Sequence, residues 1–68
     1  MNAREWIDAY AERLGTPAPT DDELRAILDI AAEGAHSSQR IAGPVACWLC
    51  GKAGRSLDEG LALAREVT

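Results

Sequence analysis

The sequence predicts an all-α fold, a compact bundle of four short helices in a single domain spanning residues 1–68. Three observations carry that expectation. Alanine occurs thirteen times, against four isoleucines, two valines and no phenylalanine, a composition that favours helix over strand. Apolar residues return at spacings of three and four, and no useful stretch alternates with period two. A capping residue followed three positions later by Glu recurs at three places along the chain.

The first helix is expected over residues 3–14. Asn2 and Glu5 can close its N-terminus as a capping box. Ala3, Trp6, Ile7, Tyr10 and Leu14 then fall in one stripe, with Glu5, Asp8 and Glu12 opposite. Gly15 suits a left-handed closing position. Thr16-Pro17-Ala18-Pro19 cannot continue a helix, because each proline lacks an N–H and biases its predecessor towards an extended conformation.

The second helix, residues 21–39, opens with Thr20 and Glu23 as a full capping box, and Asp21 and Asp22 complement the helix dipole. Its stripe is Leu24, Ile27, Leu28, Ala31 and Ala35, with Ile30 on the margin. Gly34 weakens it by about 1 kcal/mol relative to alanine. The third helix, residues 43–53, starts near Pro44 and ends at Gly51 or Gly54. No charged residue occurs from Ile41 to Gly51, so this helix belongs in the centre of the bundle or under a partner. Ser56 and Glu59 form the last capping box, opening a helix over residues 57–67 that carries Leu57, Leu61, Ala64 and Val67. Trp6 and Trp48 lie on apolar stripes and are expected to supply much of the core, with an interface anchor as the other use of such residues.

A net charge of −4 and a pI near 4.7 disfavour nucleic-acid binding and docking on an anionic membrane, both of which call for a basic face. No apolar run approaches a membrane span, and the charged first fifteen residues do not read as a signal peptide. A cytoplasmic protein is the expectation.

Cys47-Trp48-Leu49-Cys50 spells C-x-x-C, which as a redox site needs the first thiol at an exposed helix N-terminus. Here it lies inside an apolar helix. With His36 the pair offers three soft ligands, one short of a closed structural zinc site. Two small buried thiols are the simpler reading, so neither a metal nor a cofactor is expected. Gly51-Lys52 lacks the phosphate-loop pattern, because Ala46 stands where glycine is needed and Ala53 where Ser or Thr is needed. His36 is the one histidine, the residue type that acid–base chemistry near neutral pH would use. Glu33 and Arg40 are its helical neighbours. Arg40 is also placed to meet the orphan carbonyls where the second helix ends. His36, Arg40 and Trp48 are therefore the candidate binding residues, either as a contact patch or lining a small-ligand pocket, with no catalytic residue expected.

The run Ala35-His36-x-x-x-Arg40-x-x-x-Pro44 followed by an apolar helix ending at Gly51, with Glu5-Trp6-Ile7, Leu28-Asp29-Ile30-Ala31 and Leu57-Asp58-Glu59-Gly60-Leu61, resembles a small actinobacterial family of helical domains of unknown function. Such domains occur alone or fused to nucleotidyltransferases similar to molybdenum cofactor guanylyltransferase. The chain departs from that pattern at Cys47 and Cys50, where apolar residues are usual. The resemblance implies a non-enzymatic accessory or protein-interaction domain linked to molybdenum cofactor biosynthesis. Its expected partner is a nucleotidyltransferase-like protein or a second copy of itself. The alternative is a small redox or metal-handling protein using Cys47 and Cys50.

Overall fold

The computed structural model describes residues 1–67, so Thr68, the last residue of the expected domain, lies outside the described residues. The fold is all-α, with four helices in chain order: α1 Ala3–Leu14, α2 Asp21–Ser37, α3 Ala42–Ala53 and α4 Leu57–Val67. The capping boxes form as the sequence requires. Asn2 accepts the Glu5 amide at 2.8 Å while Glu5 accepts the Asn2 amide at 2.9 Å. Thr20 and Glu23 exchange bonds of 2.8 and 3.1 Å. Ser56 and Glu59 do the same at 3.3 and 3.2 Å, and the Ser56 hydroxyl, with its amide, holds the Glu59 carboxyl below the usual carboxylate range. Gly15 and Gly54 close α1 and α3 with φ of 77° and 71°, a left-handed conformation that a Cβ disfavours.

The expected second helix over 21–39 stops two residues early. Ser38 turns its hydroxyl back onto the Gly34 carbonyl at 2.8 Å and donates its amide to the same oxygen, which ends the helical ladder at Ser37. Gln39 and Arg40 then accept the amides of Ala42 and Gly43, so α3 begins one residue before the expected position, through a tight corner.

The bundle is organised around α2, which packs against both α3 and α4, whereas α3 and α4 touch each other lightly. Small residues set the α2–α3 crossing. A Cβ on Gly34 would stand 3.0 Å from the Ala42 carbonyl oxygen, and one on Gly43 would stand 3.1 Å from that of Ala31. Backbones this close leave no room for an indole between them. Trp48 is accordingly 62% exposed, against the expectation that it fills the core. Trp6 is also exposed. Because α2 is covered on two sides, its buried centre shifts to Ile30, the largest fully buried side chain among the described residues, while Leu28 is 59% exposed.

None of the three other helices comes within 8 Å of α1, measured between Cα atoms of the described residues. Instead α1 leans on the linker that follows it: Thr16 donates to the Ala11 carbonyl, and Ala11 is buried. Arg4 fixes its start, with Nε 3.2 Å from Asp8, Nη1 3.8 Å from Asp21 and Nη2 donating to the Pro19 carbonyl. The radius of gyration is 12.3 Å, above the about 11 Å usual for this length, as a laterally attached helix requires.

A candidate protein-docking face

The sequence from Ile41 to Gly51 contains no charged residue, yet only one side of α3 is used internally. Gly43 is buried, and Ala46, Cys47 and Cys50 are half-buried towards the rest of the bundle. Cys47 Sγ lies 3.5 Å from the Ile27 carbonyl oxygen. Ile41, Val45, Trp48 and Leu49 remain exposed, and their spacing of four, three and one places them on one outward face. Lys52 continues that face, its Nζ 5.6 Å from the centre of the Trp48 ring, a cation–π contact that leaves the indole accessible.

Beside this face runs an open groove of about 530 Å³. Ile30 of α2 forms its floor, Val45, Ala46 and Leu49 of α3 one wall, and Leu63 and Ala64 of α4 the other. Glu33, Ser37, Ser38 and Arg55 supply polar groups around it, and Glu33 pairs with Arg65 across α2 and α4 at 3.9 Å. The groove is apolar along its length, with charged side chains near its margins, which fits a packed side-chain ridge better than a polar reaction centre.

Of the three residues singled out from the sequence, Trp48 is the centre of the outward α3 face, while His36 and Arg40 are exposed near the corner between α2 and α3. None of the three lines the groove. Glu33 turns to Arg65 and not to His36. The groove residues Leu63 and Leu49 and the anchoring role of Arg4 escaped the sequence reading. The one available signal was the uncharged run in α3, too apolar for a helix packed on one side only.

Cys47 and Cys50 are free thiols. Burial pushes the Cys47 thiol pKa up, and the neighbouring Cys50 adds to the effect, the opposite of what a nucleophilic or metal-binding thiolate needs. The folded state therefore holds this proton more tightly than the unfolded chain. The stability it contributes is complete below about pH 8.5 and is lost as pH rises through the folded value. In a Cys50→Ala variant, alkylation of Cys47 against pH is expected to show a midpoint above about 8.5. A midpoint below it would restore thiolate chemistry to this helix.

Among the described residues, no group of three or more His, Cys, Asp or Glu side chains is placed to hold a metal ion, and no helix is long and apolar enough to cross a membrane. A family model described as Domain of unknown function (DUF6457) matches residues 1–68. No curated protein and no solved structure matches the chain.

Proposed function

We propose that this chain, which belongs to the family of domains of unknown function DUF6457, is a non-enzymatic helical accessory domain that docks another protein on the outward face of α3. The exposure of Trp48 beside Ile41, Val45 and Leu49 carries this reading. Contiguous apolar surface of this kind on a small domain marks an interaction site, and tryptophan is enriched among residues that dominate binding energy. Lys52 at its edge supplies the polar rim such a contact needs.

The likeness of the Ala35-to-Pro44 motif to domains joined to nucleotidyltransferases selects the first partner to test, a molybdenum cofactor guanylyltransferase-like protein in the cytoplasm. In this reading the domain holds no cofactor, and His36 and Arg40 contribute polar contacts at the edge of the face. The raised pKa of Cys47 weighs against the redox or metal-handling alternative.

The test is a fluorescence titration of a Trp6→Phe variant, whose one remaining indole is Trp48, with the purified nucleotidyltransferase. Saturable binding with a blue shift of the emission is expected, and Trp48→Ala, which lacks this reporter and is followed by titration calorimetry, should bind about thirtyfold more weakly, the equivalent of about 2 kcal/mol for a hot-spot residue. No saturable binding, or equal affinity for Trp48→Ala, would overturn the proposal.

A further inference from the structure

The chain exposes 5336 Å² of surface, whereas a folded monomer of 7.3 kDa exposes about 4,200 Å². The surplus of roughly 1,100 Å² exceeds the about 800 Å² that each partner buries in a standard stable interface. Two features unused by the fold contribute to it. One is the groove between α3 and α4, whose walls include the small residues Ala42, Ala46, Gly60 and Ala64. The other is the outer side of α1, where Trp6, Tyr10 and Leu14 are all exposed at a spacing of four. The Trp6 and Tyr10 rings lie 5.0 Å apart and are tilted by 34°, making a firm aromatic ridge. A ridge of large side chains and an apolar groove widened by small residues between Leu49 and Leu63 are complementary shapes, and one chain carries both.

A chain cannot fill its own groove with α1 while the Arg4 anchor holds. The hydrogen bond from Arg4 to the Pro19 carbonyl, with the longer ion pair to Asp21, keeps α1 at the start of α2. The groove follows the other end of α2, from Ile30 to Ser37, and the helix rises about 24 Å between Asp21 and Ser37. We infer that the α1 ridge of one copy seats in the α3–α4 groove of a second copy. Each chain offers one ridge and one groove, so a reciprocal pair with two-fold symmetry fills two equivalent seats and leaves neither surface open, and this closed pair, not the open filament that one-way seating would build, is the expected assembly. Ile41, Trp48 and Lys52 lie outside the groove, whereas Val45 and Leu49 border both surfaces, so the dimer and the partner proposed above share those two side chains and are told apart by Tyr10 and Trp48.

Sedimentation equilibrium from micromolar to millimolar protein tests it. A reversible dimer of twice the chain mass is expected. Tyr10→Glu on the ridge and Leu63→Glu on the groove wall should each raise the dissociation constant at least tenfold, with the helical circular dichroism of the parent retained. Both side chains are exposed in the single chain, so neither change threatens its fold. Mixing the two variants should restore dimers to an intermediate affinity, because one intact ridge then meets one intact groove. A monomer at millimolar concentration overturns the inference. A dimer indifferent to Tyr10→Glu, or one lost only on Trp48→Glu, also overturns it by moving the contact elsewhere.

Discussion

Ile30→Ala is expected to destabilise the domain by about 2–5 kcal/mol, the range for emptying a well-enclosed aliphatic site, and to leave it largely unfolded at room temperature. Among the described residues Ile30 is the one large side chain that is almost wholly enclosed, at 2% exposure, and it lies where α2 meets both neighbours. Its Cδ1 is 3.4 Å from the position a Cβ on Gly60 would take. Domains of this size seldom hold more than about 3–5 kcal/mol in total, so one cavity consumes most of the margin. Trp48→Ala, by contrast, removes the larger side chain yet should change stability by no more than about 1 kcal/mol, the scale of an exposed cation–π contact. Urea denaturation of both variants at the same protein concentration, followed by circular dichroism, decides the matter. A reversed ranking would place the indole inside and refute the packing described for α3.

Gly60→Ala should destabilise the parent but stabilise a Cys50→Ala background. A Cβ at Gly60 would overlap Cys50 Sγ. That sulfur sits 3.9 Å from the carbonyl oxygens of both Arg55 and Ser56, so moving it disturbs the turn that leads into α4. Overpacking of this kind costs about 1–3 kcal/mol. Once the sulfur is removed, the nearest atoms are the Ile30 Cδ1 methyl at 3.4 Å and the Cβ of residue 50 at 3.5 Å, both ordinary contact distances. The helix then gains the about 0.5–1 kcal/mol by which alanine exceeds glycine. The four urea midpoints of this cycle measure the coupling. Additive effects would show that Cys50 and Gly60 do not set the spacing of α3 and α4.

The elements were legible because their signals are local. Asn2 with Glu5, Thr20 with Glu23 and Ser56 with Glu59 each close a helix through bonds spanning three residues, and Gly15 and Gly54 end helices through their own backbone freedom. Such chemistry needs no knowledge of the rest of the chain. Where α2 stops was harder, because Ser38 competes for the Gly34 carbonyl and a serine can equally well face solvent.

Which side of each helix faces inward is a different kind of question. Leu28 belongs to the apolar stripe of α2 as fully as Ile27, and only the two-sided packing of α2 made Ile30 the centre and left Leu28 exposed. Trp48 could read as core or as interface until the close approach of Gly34 to Ala42 and of Gly43 to Ala31 determined that small residues face inward and the indole outward. Sequence by itself determined the four helices, their caps and the excess of apolar residues in α3. Tertiary structure alone decided that this excess lies on the surface and that α1 stands beside the bundle, held by Arg4. The reason is one of range. Capping and periodicity act within a few residues of the chain, whereas burial depends on how closely two backbones far apart in sequence can approach, which the small side chains of both permit only when they meet.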